Sequence, residues 1–266
     1  MKLRECNTII LYFRQIFFME IKILQLLDGA RDARGLTVII DVFRAFSTAC
    51  YAFDRGALKI FPIGEIEKAY HIKKQNPDFV LVGERNEQKP PGFDFGNSPS
   101  QLLKGDLTGK TIVHTTSSGT QGIANAKNAD EIITGSFVNA GAIVKYIQQK
   151  QTKTVSLVCM GYACQYPTDE DTLCAEWIKN ELEREAPPNL AYRHAGSPKS
   201  VGIEPKSFAE MVEIIRIGSG ARFFDPEKQS WSPQTDFELC LDLNRFNFVL
   251  KVEQEDDLNY LKPISV

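Results

Sequence analysis

The chain has 266 residues, 43% of them apolar and 24% charged, and its formal net charge is −3. That length suits one large α/β domain or two small ones, and the composition is that of an ordinary globular protein. No basic block is present to bind nucleic acid, and no apolar run is long enough to cross a membrane.

The first 18 residues hold a broken apolar stretch, Thr8–Phe13 and Ile16–Phe18, interrupted by Arg14. It lacks the small-residue cleavage site of a signal peptide. Met19-Glu-Ile-Lys-Ile reads as the start of a first strand, so 1–18 is expected to be an upstream extension. The next apolar run, Leu36–Ile40, stops at Asp41. Phe46, Ala49, Cys50 and Phe53 then recur at helical spacing. A strand is expected over 58–63, a helix over 64–74 and a strand over 79–82, which stops at Gly83-Glu84-Arg85. Residues 84–99 form a polar loop of a length that usually signals function or disorder.

Strand 111–114 runs into Thr115-Thr-Ser-Ser-Gly-Thr120 and a helix over 119–127. Strand 131–134 ends at Gly135-Ser136, with Asn139 opening a helix over 139–149. A strand over 154–159 and an amphipathic helix over 169–183 follow. Residues 186–206 are rich in Pro, Gly and Ser. A helix over 207–217 and two antiparallel strands, 237–241 and 246–252, close the chain. Alternating β and α elements predict a three-layer α/β fold: a mainly parallel or mixed sheet with helices on both faces. Two α/β subdomains, 19–150 and 151–266, remain an option, with the boundary at 150 or 187. If the strands share a direction, their C-terminal ends lie along one edge, and the polar clusters meet at one site.

Each cluster has two readings. Asp41 is either a metal or acid/base residue or a cap for the helix that follows. Arg44 in a first helical turn opposes the helix dipole, a cost that a bound anion would offset. Thr115, Thr116, Ser117, Ser118, Gly119 and Thr120 put five hydroxyls in six residues, more than one cap needs. That favours a cradle for phosphate or sulfonate over a capped turn. Glu84, Arg85, Asp94, Asn97 and Ser98 suit either a site or ordinary turn chemistry. Asp169-Glu170-Asp171 suits a helix N-terminus, and it also suits Mg²⁺, which prefers oxygen ligands.

Other signatures are missing. Asp41-Val-Phe43 lacks the second Asp of a D-x-D phosphatase motif, no Cys-x5-Arg exists, and three histidines (71, 114 and 194) make a histidine zinc site improbable. Six cysteines form no C-x-x-C pair, which fits buried free thiols in a reducing cytoplasm.

Six motifs occur in an order that resembles the 2-phosphosulfolactate phosphatase (ComB-like) family. They are Asp41-Val-Phe-Arg-Ala, Gly83-Glu-Arg85, Gly92-Phe-Asp-Phe-Gly-Asn-Ser-Pro99, Thr115–Thr120, Gly135-Ser-Phe-Val-Asn-Ala140 and Glu170-Asp-Thr-Leu-Cys174. The likeness is good over 19–185 and weaker through Ser219-Gly-Ala-Arg222 and Asp242–Phe246. The family usually has Asn at Ser118 and a smaller residue at Phe46, and 194–206 looks inserted. The resemblance implies a cytoplasmic, Mg²⁺-dependent enzyme that hydrolyses (2R)-2-phospho-3-sulfolactate, a step of coenzyme M biosynthesis in methanogens.

On the matching positions, Asp41, Arg44, Glu84 and Arg85 would be catalytic. Asp41, Glu170, Asp171 and Asp94 would hold the metal. The hydroxyl turn, Asn97, Ser98, Asn139 and Arg222 would bind a small polyanionic substrate. A phosphatase for another phosphorylated 2-hydroxy acid, or a non-catalytic anion binder, are the alternatives. A homodimer is left open.

Overall fold

The computed structural model describes residues 17–184, 190–193 and 205–266. The rest of the expected 1–18 extension and most of 186–206 lie outside them. In chain order the first elements are β1 (Phe17–Gln25), α1 (Leu26–Asp32), β2 (Leu36–Ile40), α2 (Ala45–Asp54), β3 (Lys59–Pro62), α3 (Ile66–Gln75), β4 (Val80–Gly83), β5 (Phe95–Gly96) and α4 (Pro99–Leu102). The middle of the chain forms β6 (Thr111–Thr115), α5 (Gly119–Asn125), β7 (Glu131–Gly135), α6 (Ala140–Lys150), β8 (Thr154–Cys159) and α7 (Asp169–Arg184). The last elements are β9 (Leu190–Arg193), α8 (Phe208–Ile217), α9 (Gln234–Cys240), β10 (Phe248–Glu255) and β11 (Leu258–Ser265).

All the strands join one sheet, in the order β5-β4-β6-β3-β11-β10-β7-β2-β8-β1-β9. Both faces are covered. Along β2, Val38 and Ile40 enter the core beneath α6 and α7, while Ile39 enters the opposite core with residues of α1, α2 and α5. Period-two side chains that are buried on both faces make β2 an unbroken apolar run, as expected for a central parallel strand. A third cluster packs Ala69 and Ile72 of α3 on Phe61, Leu81 and Val113. Residues on either side of 150 share the sheet, because β8 lies between β2 and β1.

The sheet is mixed, as the predicted fold allows, and its strands do not all share one direction. β1, β2, β7, β8 and β9 are mutually parallel. So are β3, β4, β5 and β6. The β10–β11 hairpin joins the two sets through three antiparallel pairings. The two sets therefore run in opposite nominal senses, and their C-terminal ends do not share one edge of one parallel array. They meet all the same. Twist of about 20–25° per strand, accumulated over the five steps from β2 to β6, turns opposed strands toward each other by roughly 100–125°. Asp41, past the end of β2, accepts a hydrogen bond from the Gly119 amide past the end of β6 at 2.8 Å.

The C-terminal assignments also need correction. The expected strand over 237–241 is helix α9. The hairpin runs from 248 to 265 through a tight turn at Asp256-Asp257, where both residues have positive φ (46° and 62°). Such a turn suits the twist of a two-residue hairpin.

Candidate active site

A cavity of about 260 Å³ opens where the two strand sets converge. From the β2 side come Asp41, Phe43, Arg44 and, from the start of α7, Glu170. The β4–β6 side contributes Glu84, Asn97 and Thr116–Ser118, and the short 3₁₀ helix Ser219–Phe224 contributes Arg222. Two loops complete the wall, at Asn86-Glu87 and at 161–165.

Asp41 braces the start of the helix that follows and lines the cavity as well. Its Oδ1 accepts the Ala45 amide at the start of α2 (3.0 Å), and its Oδ2 accepts Gly119 N. Burial pushes its pKa up to about 6, and the Glu84 charge adds to this. The Ala45 and Gly119 amides and Arg222 oppose the rise. Glu170 is buried at the N-terminus of α7, and its Oε2 has no hydrogen-bond partner. Burial lifts its pKa to about 7, with Arg222 and a contact from the Ser219 side chain opposing. Asp171 differs. Its two oxygens accept Val42 N (2.8 Å) and Gly161 N (2.9 Å), and it does not line the cavity. Burial, then the charges of Glu170 and Asp41, hold its pKa well above the ordinary carboxylate range. Asp171 thus ties the chain beyond β2 to the loop beyond β8.

The hydroxyl turn is built mainly to hold itself and two carboxylates. Thr120 Oγ donates to Thr116 O (2.9 Å), and Thr116 Oγ accepts Thr120 N (3.3 Å). Ser117 N donates to Glu84 Oε1 (2.7 Å). A Cβ on Gly119 would lie 2.8 Å from Ala45 Cβ and 2.9 Å from Asp41 Oδ2. Gly119 therefore admits the close approach of Asp41. Thr116, Ser117 and Ser118 still line the cavity, whereas Thr115, Gly119 and Thr120 do not.

Several expected site residues serve as braces. The Arg85 guanidinium donates to Glu84 O, Gly64 O and Thr115 Oγ and lies outside the lining. Asp94 accepts Leu81 N (2.7 Å) and pairs with Lys73 (3.6 Å), away from the cavity. Ser98 caps α4, accepting Gln101 N (3.3 Å) and donating to Asp236 (3.0 Å). Asn139 accepts Ser136 N and donates to Thr134 O, closing a capping box. Asn97 does line the cavity. Its Oδ1 meets His114 Nε2 at 3.2 Å, and burial draws the His114 pKa down to about 4, so the ring is neutral.

Arg44 lines the cavity but is held by Asp236 at 2.8 Å, both side chains being almost fully buried. Asp236 itself also accepts Ser100 N (2.9 Å). Sequence reading missed Asp236, having placed it beside a strand. It also missed Glu87 and the 161–165 loop. Asn86, Glu87, Ala163 and Cys164 all have positive φ, a backbone state that non-glycine residues rarely adopt and that gathers at ligand sites. Gly161 comes against the Tyr166 carbonyl, and any side chain there would collide with it.

The cavity lining thus carries four carboxylates (Asp41, Glu84, Glu87 and Glu170) against two guanidiniums, one of them already paired with Asp236. A model of the family described as 2-phosphosulpholactate phosphatase matches residues 22–255. The chain belongs to this family. A probable 2-phosphosulfolactate phosphatase of Thermotoga petrophila is 43% identical over 147 residues, covering 55% of this chain and 62% of the relative. The aligned stretch thus spans less than two thirds of that relative's length. A Thermoplasma volcanium family member with the same name is 34% identical over 164 residues (60% of this chain, 74% of the relative). A Bacillus subtilis member, again so named, is 28% identical over 233 residues, or 87% and 92% of the two chains.

The family resemblance implies a divalent metal, and the donor set fits one. Glu170 Oε2 is a buried carboxylate oxygen without a partner, and Asp41 stands on the same wall. Among the described residues no group of three His, Cys, Asp or Glu is placed to hold a metal unaided. Mg²⁺ asks for less, since it usually takes one or two carboxylates and keeps several waters.

Proposed function

We propose that the chain is a Mg²⁺-dependent phosphatase that hydrolyses (2R)-2-phospho-3-sulfolactate to 3-sulfolactate and phosphate. The observation that carries this is a buried, partnerless Glu170 oxygen in a cavity with more carboxylates than guanidiniums. A lining of that sign repels a polyanion unless a cation is bound with it. Asp41 and Glu170 would hold the Mg²⁺, which when bound neutralises phosphoryl oxygens and lowers the pKa of bound water.

The chain's own residues supply orientation and charge. Arg222 reaches the cavity with a buried, unpartnered Nε, so it can bind a substrate oxyanion. Arg44 offers a second positive group, fixed in direction by Asp236. Hydroxyls of Thr116 and Ser117 and the amide of Asn97 complete the wall. Water suits the role of nucleophile, and Asp41, whose oxygens are oriented by the Ala45 and Gly119 amides and each keep a lone pair, suits the metal. Phosphoryl transfer of this kind depends mainly on positioning and charge neutralisation. A cytoplasmic setting accords with five free cysteines among the described residues, four of them buried.

The test is phosphate release from phosphosulfolactate, phospholactate and phosphoglycerates, each with Mg²⁺ and with EDTA. Mg²⁺-dependent turnover fastest on phosphosulfolactate is expected. A different preferred ester would replace the substrate, and no turnover of any ester would overturn the reading.

A further inference from the structure

Glu87 is tied into the site at three points. Its amide donates to Glu84 Oε2 (2.9 Å), and its carbonyl accepts Arg44 (3.3 Å). Its carboxylate pairs with Arg222 at 3.2 Å. The two backbone bonds hold residue 87 at the cavity wall in a left-handed conformation, φ 67°. The side chain is held by the Arg222 pair and by the Tyr162 hydroxyl, and it is 18% exposed, beside an Arg222 that is 16% exposed. Arg222 is otherwise fixed by Phe43 O (3.1 Å) and by the Phe43, Tyr162 and Phe223 rings. The guanidinium is therefore rigid, whereas the carboxylate on it can leave for solvent while its backbone stays in place.

Building on the phosphatase reading, we propose that Glu87 is a specificity-determining residue: its carboxylate occupies, in the free protein, the place on Arg222 that a second acid group of the substrate takes. An ester that carries a carboxylate or sulfonate besides its phosphate replaces Glu87 with an equivalent partner. An ester without one leaves the Glu87–Arg222 pair intact and meets the repulsion of its carboxylate. Glu87 thus excludes simple phosphate monoesters, and Arg222 recognises the acid.

The experiment compares Glu87→Gln and Arg222→Lys with the wild type in two readouts. The first is kcat/KM on phosphosulfolactate and on a phosphate monoester with no other acid. The second is the affinity for 3-sulfolactate, a probe with acid groups and no phosphate, measured by thermal shift in Mg²⁺. Partly exposed pairs contribute little, so Glu87→Gln should tighten 3-sulfolactate by about 2–5-fold. It should raise turnover of the plain monoester as well. Arg222→Lys loses the bidentate fork and should weaken 3-sulfolactate by roughly tenfold or more, with kcat/KM falling further on phosphosulfolactate than on the plain monoester.

Turnover by all three proteins, with the two esters scaling alike and 3-sulfolactate affinity unmoved, would overturn the role of Glu87. Wild type that turns over neither ester but still shows both shifts in 3-sulfolactate affinity would sink the phosphatase reading and leave the Glu87–Arg222 exchange standing.

Discussion

The two strand sets contribute to the cavity in opposite ways. On the β4–β6 side nearly every polar group already has a partner: Glu84 holds two amides, Thr116 and Thr120 hold each other, and Arg85 braces Thr115. On the β2–α7 side Glu170 has a bare oxygen, and burial has lifted Asp41 and Glu170 toward neutrality. One side is finished without a ligand, and the other is complete only with one. Polar groups left unsatisfied in a folded interior are costly, and of those among the described residues Glu170 and Arg222 belong to residues that line the cavity, where a ligand can meet them.

Metal removal should separate the sides most sharply. EDTA should abolish phosphate release and Mg²⁺ restore it, an effect of several kcal/mol in the barrier. Full turnover in metal-free protein would remove the reason for the bare oxygen. Next come paired substitutions. Glu170→Gln should eliminate most activity without lowering the melting temperature, because a buried charge disappears and an amide can keep the contact with the Ser219 side chain. Glu84→Gln should instead cost about 1–3 kcal/mol of stability, since two amides lose a charged acceptor. The reverse pattern in urea melts would invert the comparison.

Arg85→Ala should likewise lower stability by about 1–3 kcal/mol through its lost bonds to Gly64, Thr115 and Glu84. Its kcat/KM should stay close to wild type, and a loss beyond about tenfold in the folded variant would return Arg85 to the chemistry. Thr116→Val should cost about 0.5–2 kcal/mol, as a lost cap does. Inorganic phosphate should protect it thermally as well as it protects wild type. Weakened protection would restore the turn as a phosphate cradle.

The effect of pH is the most gradual. Asp41 and Glu170 have folded pKa values near 6 and 7, above the 3.8 and 4.5 of the free groups. The folded state then binds protons more tightly than the unfolded state. Their contribution to stability is greatest below about pH 4 and is lost as pH rises toward 7. In EDTA, conservative Asn and Gln replacements at these positions should flatten that decline. An unchanged slope in a series of thermal melts would mean that other groups cause it.

Much of this was legible in the sequence, and the failures have physical causes. β2, β6, β7 and β8 announce themselves as apolar runs, because both faces of the sheet are covered. The hydroxyl turn was found, but not what its amides hold. Sequence shows donors, yet it cannot show that Asp41 and Glu84, 78 and 33 residues away, already occupy two of its amides. Helix α9 was read as a strand because Phe237-Glu-Leu-Cys alternates, and so Asp236 was overlooked as the partner of Arg44. The closing hairpin was only half seen, since Asp256-Asp257 lacks the glycine that usually betrays such a turn. With it went the reversal of strand direction, which no local pattern encodes.

The most direct measurement is calorimetric titration of Mg²⁺ into the wild type, Glu170→Gln and Thr116→Val. The wild type and Thr116→Val should bind one Mg²⁺ with similar affinity, and Glu170→Gln should bind at least tenfold more weakly. Equal affinity in all three, or loss confined to Thr116→Val, would contradict a metal site on the β2–α7 side.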